Sequence, residues 1–242
     1  MDLILPDWPA PRLVRAFSTT RRGGVGKGPY DSLNLATHVG DSSAAVEQNR
    51  RLLDGVLPSP PRWLEQVHGD RCVVAESVNG PVAADASVAT TAGIVCAVLT
   101  ADCLPILFCD EDGTTVAAAH AGWRGLAHGV IERTAEAMPV SPSRVLAWFG
   151  PAIGPGRYQV GPEVRSAFIA ADAGADEAFR SDGGDRWLCD LYALARRRLA
   201  AMGITRVYGG SHCTSSDAAR FFSYRRDGPT GRMATLVWLE SR

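Results

Sequence analysis

Residues 93–120 read GIVCAVLTADCLPILFCDEDGTTVAAAH, which is three apolar runs separated by a polar kink and an acidic turn. Residues 93–100 and 104–109 are almost continuously apolar, a pattern typical of strands covered on both faces. The acidic turn at 111–113 then predicts a hairpin that leads into a third strand at 115–120. This arrangement in the middle of the chain favours an α+β fold with mixed sheets over a doubly wound fold.

The segments on either side mix helix and strand patterns without a regular β-α-β order. Apolar residues at helical spacing predict helices that begin at Asp41 or Ser42 and end at 53, and that span 125–138 and 187–202. Further strands are expected at 14–18, 63–68, 71–76, 144–149, 204–208 and 233–239. No repeat or linker divides the sequence, so we expect a single domain over residues 1–242.

The composition excludes several classes of protein. The chain has 242 residues, of which 46% are apolar and 21% charged, with a formal net charge of −1. A nearly neutral chain lacks the basic surface of a general nucleic-acid binder. No apolar run approaches the ~20 residues needed to span a bilayer. Because residues 1–11 lack the basic region of a secretory signal, we expect a cytoplasmic protein with neither nucleic acid nor membrane as a partner.

Three segments place a metal-ligand type of side chain where a predicted strand ends. They contain His68 in EQVHG, Cys103 in TADCLP and His120 in AHAGWRG. Two imidazoles and one thiolate suit zinc, and three protein ligands would leave a fourth position open. The spacings match no local metal motif, so the residues can meet only through the fold. The alternative is a pair of hydrogen-bonded histidines and a packed thiol.

Several longer strings resemble the YfiH-like family, also called the laccase-domain or peptidoglycan editing factor PgeF family. The resemblance begins at Thr20-Arg21 and ends at Trp238, so it covers essentially the whole chain. The strings that carry it are YDSLNL (30–35), WLEQVHG (63–69), TADCLP (100–105), AHAGWRG (119–125), GPAIGP (150–155), FFSYRRD (221–227) and TGRMA (230–234).

The resemblance implies a fold, a metal site and an activity. The implied fold is a single-domain α/β/β/α layered sandwich similar to the catalytic domain of cytotoxic necrotizing factor. The implied metal ligands fall on His68, Cys103 and His120. Family members are described as purine nucleoside phosphorylases acting on adenosine, inosine and methylthioadenosine, with adenosine deaminase activity. Many members carry cysteines where this chain has Gly156 and Arg157, so no ligand role of those cysteines can apply here.

Older family labels say polyphenol oxidase, and the histidine count limits what that can mean. A four-copper site needs roughly ten histidines, because imidazole is the ligand that suits copper. This chain has five histidines in all, so a four-copper laccase is excluded. We expect Zn²⁺ at the His-Cys-His site, with a single copper ion as the alternative.

Phosphorolysis of a nucleoside needs cationic groups for phosphate and polar contacts for the ribose and base. The planar guanidinium of arginine suits phosphate, and Arg21 and Arg225 lie inside family-like strings. Asn34 and Gln66 are candidates for hydrogen bonds to the nucleoside. The expected partners are therefore purine nucleosides and phosphate, bound by a monomer or a homodimer.

Two other chemistries and one non-catalytic role remain open at this stage. Cys103 could act as the nucleophile and His120 as its base in a cysteine hydrolase that edits a peptidoglycan precursor. A single copper ion would instead suit a polyphenol oxidoreductase. The third alternative is a module that binds metal or a partner without catalysis.

Overall fold

The computed structural model describes residues 1–241. The strands are β1 (Leu3–Ile4), β2 (Val14–Thr19), β3 (Cys72–Val74), β4 (Ala86–Ala89), β5 (Cys96–Thr100), β6 (Leu104–Asp110), β7 (Val116–Ala121), β8 (Val145–Phe149), β9 (Gln159–Val160), β10 (Phe179–Ser181), β11 (Trp187–Cys189), β12 (Arg206–Gly209) and β13 (Met233–Leu239). The α-helices are α1 (Ser43–Asp54), α2 (Trp123–His128), α3 (Val130–Ala137), α4 (Pro162–Ile169), α5 (Leu191–Ala201) and α6 (Tyr224–Asp227).

The strands form two large sheets and one small one. The larger sheet has the order β12-β8-β6-β7-β4-β3 and is mixed, because its two outer pairs are parallel and its inner pairs antiparallel. The second sheet has the order β1-β2-β13-β5 and is antiparallel throughout. A three-stranded sheet of β10, β11 and β9 completes the structure. The expected α+β class with mixed sheets is confirmed.

Three apolar clusters define the layers. One cluster lies between the two large sheets and includes Val98 of β5, Leu107 of β6 and Val237 of β13. A second cluster packs the other face of the six-stranded sheet against α3, α4 and α5. A third packs the outer face of the four-stranded sheet against α1, through residues such as Leu53 and Trp238. The order of layers is therefore α/β/β/α, as the family resemblance implies.

The central hairpin is where the sequence predicted it. β6 and β7 pair antiparallel, with Leu104 opposite Ala121 and Cys109 opposite Val116. β5 runs into β6 through three residues, 101–103, but the two strands belong to different sheets. Strands of both sheets therefore end at the loop that carries Cys103.

The predicted strand at 63–68 is wrong. Residues 62 and 65 form only isolated bridges, to Cys96 and Ala83. The backbone N–H groups of Val67, His68 and Gly69 donate instead to the side chain of Asp85, so they cannot join a ladder. A side chain distant in sequence thus replaces strand pairing here.

Two predicted helices are divided by local features. The one expected at 125–138 is split into α2 and α3 at Gly129, which has φ +105°, a conformation that ends a helix and favours glycine. The one expected at 187–202 begins late, because residues 187–189 form β11. Asp190 then caps α5 by accepting a hydrogen bond from the N–H of Ala193. Within residues 1–241, no helix has both the length and the apolar character needed to cross a membrane.

Candidate metal centre

His120 is the most deeply buried of the three proposed ligands. It lies at the end of β7, opposite Pro105 of β6, and its side chain is 3% exposed. Its Nδ1 lies 2.7 Å from Oδ1 of Asp85, and its backbone N–H donates to the Asp85 carbonyl at 2.7 Å. Since a carboxylate oxygen can only accept, Nδ1 carries the proton and Nε2 is left free to ligate a metal.

Cys103 lies in the kink between β5 and β6. The preceding residue, Asp102, has φ +94°, an unusual value for a residue other than glycine. Its carboxylate accepts hydrogen bonds from the Thr214 hydroxyl at 2.6 Å and from the Arg225 backbone N–H at 2.7 Å. Its carbonyl accepts from the N–H of Ile153 at 2.9 Å. These contacts hold the kink that turns the Cys103 thiol towards the two histidines.

His68 lies in a turn that is built around the carboxylate of Asp85. That carboxylate accepts from the N–H groups of Val67, His68 and Gly69 at 3.1, 3.0 and 2.8 Å. His68 itself has φ +60°, the left-handed conformation that such a turn requires. The buried carboxylate of Asp85 therefore positions both His68, through the backbone, and His120, through the ring.

The three proposed ligand atoms lie close enough together to hold one metal ion. One donor atom from each of His68, Cys103 and His120 lies within 4.8 Å of the others. His68 Nε2 and Cys103 Sγ are 3.8 Å apart. Zinc–ligand bonds of normal length at tetrahedral angles would put these atoms about 3.6 Å apart. The donor set, and the spacing of this one pair, are compatible with a tetrahedral metal ion.

The electrostatics of the site favour a thiolate. Burial acts to raise the pKa of Cys103, but the His120 charge and hydrogen bonds from His120 and His68 outweigh it and lower the pKa to about 6. Burial acts to lower the pKa of His120, yet the charges of Cys103 and Asp85 and the hydrogen bonds to them raise it. At Cys96, by contrast, burial is the largest effect and raises the pKa to about 12. Cys103 thus differs from the packed thiols in being prepared for metal or nucleophilic chemistry.

Two glycines of the AHAGWRG segment allow the three ligands to approach. A Cβ at Gly122 would lie 3.0 Å from the sulfur of Cys103 and 3.0 Å from Cδ2 of His68. A Cβ at Gly125 would lie only 2.5 Å from the carbonyl oxygen of Gly69. Larger side chains at these positions would therefore push the ligand-bearing turns apart.

The three proposed ligands line a cavity of about 380 Å³. Its wall is formed by His38, Gln66, His68, Leu99, Thr100, Ala101, Cys103, His120, Tyr224 and Arg232. A second cavity of about 680 Å³ shares His38, Gln66 and Leu99 with the first. The volume is within the range of small-molecule sites, so a ligand the size of a nucleoside can reach the metal position.

The four predicted substrate contacts do not converge on this cavity. Gln66 lines it, but its amide bonds the backbone N–H and carbonyl of Leu99 at 2.7 and 2.8 Å. Asn34 is fully buried and accepts from the N–H of Arg232 at 2.9 Å. Arg21 and Arg225 are absent from the described wall of the cavity.

Arg21 and Arg225 already donate hydrogen bonds to backbone carbonyl groups. Arg21 donates to the carbonyls of Asp31 and Ala218 and lies over the ring of Phe222. Arg225 donates to the carbonyl of Gln159 at 2.7 Å, beside a different surface cavity. A direct contact of either with a substrate near the metal stays a prediction.

Three residues of the cavity wall, His38, Tyr224 and Arg232, were not identified from the sequence as candidates. Tyr224 immediately precedes Arg225 in the FFSYRRD string, and Arg232 lies inside TGRMA. The strings therefore contained the signal, but a string does not tell which of its side chains points towards the site. His38 follows the YDSLNL segment and carries no motif of its own.

The fold and the site define a class of protein, an α/β/β/α sandwich with a candidate His-Cys-His metal site at the edge of its sheets. The chain belongs to the YfiH-like family: the family model described as multi-copper polyphenol oxidoreductase laccase matches residues 15–240. It is 55% identical to purine nucleoside phosphorylase PA4543 of Pseudomonas aeruginosa, over 98% of each chain. It is also 55% identical to purine nucleoside phosphorylase YfiH of Escherichia coli K12, again over 98% of each chain.

A solved structure has the same fold over its full length. The crystal structure of Neisseria meningitidis protein NMB0706 is similar with a TM-score of 0.98 and 50% identity, covering 100% of both chains. The laccase description does not extend to a four-copper centre here, because five histidines are too few for one.

Proposed function

We propose that this chain is a metal-dependent purine nucleoside phosphorylase. It would convert adenosine, inosine or methylthioadenosine and phosphate into the free base and the ribose 1-phosphate. The names of the relatives support the reaction class. The observation that carries the proposal is the convergence of His68, Cys103 and His120 on one wall of a cavity large enough for a nucleoside.

In this reaction the bond between the base and C1′ of the ribose breaks while a phosphate oxygen bonds to C1′. Positive charge develops on the ribose, and the departing base needs a proton or a hydrogen bond. When bound, zinc supplies Lewis-acid polarisation to an atom of the substrate. Thr100 and Tyr224 line the same cavity, and their hydroxyl groups are candidates to donate hydrogen bonds to the nucleoside.

The residues around the ligands keep this geometry fixed before substrate arrives. Asp85 sets the tautomer of His120 and the turn of His68, so no reorganisation is needed on metal binding. The side-chain amide of Gln66 makes two hydrogen bonds to the backbone of Leu99. Gln66 therefore contributes by shaping the wall that the nucleoside would contact. Preformed sites of this kind lower the cost of orienting a substrate.

The finer parts of the proposal follow from the donor set. Two imidazoles and a thiolate favour Zn²⁺, with copper as the alternative. An adenosine deaminase side activity would use the same site, with water instead of phosphate as the attacking group. We further propose that residues 1–242 act as one catalytic domain in the cytoplasm.

One specific feature favours a second function: His120 contacts both the thiol of Cys103 and the carboxylate of Asp85. A thiolate, an imidazole and an orienting carboxylate are also the parts of a cysteine hydrolase. Such an enzyme would cleave an amide in a peptidoglycan precursor. A hydrolase of this type keeps its activity after chelation, whereas a metal-dependent phosphorylase loses it.

The test is phosphate-dependent release of hypoxanthine from inosine by zinc-loaded protein. We expect turnover that needs phosphate, stops on chelation and returns when zinc is restored. A His68→Ala, Cys103→Ala double variant serves as the comparison. Product formation that equals the level of this variant would refute the proposal. Hypoxanthine release that survives chelation would refute the metal dependence, and chelation-resistant cleavage of a peptidoglycan precursor would favour the hydrolase.

A further inference from the structure

Basic side chains line the junction between two neighbouring cavities. We call the cavity that contains His68, Cys103 and His120 the metal-side cavity, and the larger one beside it the outer cavity. Arg232 belongs to the wall of the metal-side cavity, Arg50 to the wall of the outer cavity, and His38 to both. Burial lowers the pKa of His38, and the charges of Arg232 and Arg50 lower it further. His38 therefore lies on the wall that the two cavities share, with one arginine in each cavity.

The guanidinium of Arg232 lies 5.9 Å from the centre of the Tyr224 ring and feels the charges of Cys103 and Asp102, yet part of it has no hydrogen-bond partner within residues 1–241. Its Nη1 donates to the carbonyls of Thr230 and Gly231 at 2.8 and 3.1 Å. No hydrogen bond from its Nε or Nη2 is made within residues 1–241, and no carboxylate of that range lies within 4.0 Å of it. Burial lowers the pKa of Arg232 from its usual value, and an arginine at such a site remains charged.

Arg50 has a similar environment on the outer side. Its Nε donates to the carbonyl of Leu35 at 2.9 Å, and its guanidinium lies 4.5 Å above the ring of Trp63. Its remaining nitrogens make no hydrogen bond among the residues that the structure describes. Burial lowers the pKa of Arg50, although the charge of Asp54 opposes this.

The outer cavity contains a further unpaired donor and one carboxylate. Nε of Arg62 is buried without a hydrogen-bond partner among residues 1–241. Glu65 lines the same cavity but is exposed to solvent. A half-buried cluster of this kind, with more positive than negative groups, is best compensated by an anion.

We propose that Arg232, His38 and Arg50 form the subsite that binds the inorganic phosphate co-substrate, at the junction of the two cavities. This inference rests on the proposed phosphorylase function and assigns its phosphate to residues other than Arg21 and Arg225. Nε and Nη2 of Arg232 can both donate hydrogen bonds to a ligand. Such a pair of donors suits a tetrahedral anion with several acceptor oxygens. His38, neutral near pH 7, donates one further hydrogen bond from its ring.

The position also suits the chemistry. Arg232 shares the metal-side cavity with the three ligands, so a phosphate held by it lies next to a nucleoside in that cavity. The phosphate oxygen then forms the bond to C1′ as the base departs with its bonding electron pair. By contrast, Arg225 bonds Gln159 beside a separate cavity, away from the metal ligands.

The experiment compares zinc-loaded wild-type protein with Arg232→Gln, Arg232→Lys and His38→Asn variants. We expect Arg232→Gln to raise the KM for phosphate about tenfold or more, because it removes a charge-assisted hydrogen bond. Arg232→Lys should recover part of the loss. The KM for inosine should stay within about twofold and bound zinc at one ion per chain. Arg15→Gln removes a surface charge paired with Glu240 and is the matched control.

A second measurement separates this inference from the proposed function. Inorganic phosphate is titrated into the zinc-loaded proteins without nucleoside, and heat of binding is recorded. Binding by the wild type that is weakened in Arg232→Gln and His38→Asn supports the subsite even if inosine is not cleaved. Equal binding by all variants overturns the subsite while leaving phosphorolysis by the wild type intact. A parallel titration uses inosine 5′-monophosphate. If the variants lose affinity for this ester but not for inorganic phosphate, the cluster binds a phosphate ester, and the proposed subsite for inorganic phosphate is overturned.

Discussion

At the scale of single residues, the carboxylate of Asp85 organises the site. It accepts four hydrogen bonds, three from the backbone of the turn at residues 67–69 and one from the ring of His120. Asp85 and Asp102 are both buried acidic residues near the proposed ligands, but they act differently. In the structure Asp85 contacts His120, whereas Asp102 holds the kink that precedes Cys103.

Replacing Asp85 with asparagine tests this role. The amide keeps the size of the side chain, but its NH₂ group cannot accept from the backbone N–H groups or from Nδ1 of His120. We expect zinc affinity to fall about 10- to 100-fold, as is typical when a ligand histidine loses its orienting partner. Competition with a chelator of known affinity measures this change.

The matched control is Asp176→Asn, which alters an exposed carboxylate paired with Arg165. Its zinc affinity should equal that of the wild type. If Asp85→Asn bound zinc as tightly as the control, Asp85 would not position the ligands.

At the scale of elements, the hairpin between β6 and β7 depends on the side chain of Asp110. This buried carboxylate accepts from the N–H groups of Thr114 and Thr115 at 2.7 and 2.8 Å and from the Thr114 hydroxyl at 2.8 Å. These hydrogen bonds outweigh burial and lower the pKa of Asp110. The turn that brings His120 next to the Cys103 loop is therefore fixed by one charged group.

The pH dependence of stability tests this. Because the pKa of Asp110 is lower in the folded chain, its stabilisation is present above the unfolded pKa of about 4 and is lost as the pH falls through the folded pKa. We expect Asp110→Asn to lower the free energy of unfolding by about 1–3 kcal/mol at pH 7. The difference from wild type should shrink below about pH 4, as measured by denaturant unfolding.

The exposed Asp185 provides the control for this series. Asp185→Asn should change stability by less than about 0.5 kcal/mol at pH 7. A deficit of Asp110→Asn that stayed constant down to pH 2 would contradict the role given to the carboxylate.

The elements that the sequence predicted well are those whose signal is local. β13 was expected at 233–239 and is observed as Met233–Leu239, because a continuous apolar run defines a covered strand. The segment at 63–68 has a strand-like composition as well, but Asp85 takes its last N–H groups. That contact joins residues 16 to 18 positions apart, so no local pattern contains it.

At the scale of the whole molecule, the two large sheets pack face to face and carry the ligand loops at their edges. Leu107 of β6 lies fully buried between them. Leu107→Ala should lower the free energy of unfolding by about 2–5 kcal/mol, since it leaves a cavity in a closely packed interior. Denaturant unfolding measures this value.

Bound zinc in Leu107→Ala should stay at one ion per folded chain, because Leu107 packs between the sheets and does not line the cavity that the three proposed ligands face. The exposed Leu5 offers the control Leu5→Ala, which should be nearly neutral. Loss of zinc from folded Leu107→Ala would mean that sheet packing, and not the local contacts of Asp85 and Asp102, positions the ligands.

The sequence strings predicted three side chains that the structure brings together, but not the residues that line the cavity beside them. His68, Cys103 and His120 each lie within a long family-like string, His68 in a turn, Cys103 in the kink between β5 and β6, and His120 at the end of β7. Arg21 and Arg225 lie in such strings too, yet backbone carbonyls hold both. The direction of an arginine side chain is decided by tertiary contacts, which a sequence string does not contain.

The most direct test of the account is X-ray absorption at the zinc edge of the metal-loaded protein. We predict one sulfur at about 2.3 Å, two imidazole nitrogens at about 2.0 Å and one further light atom in the fourth position. His68→Ala should lose one of the two imidazole contributions. A first shell without sulfur, or with four protein ligands and no open position, would contradict the account.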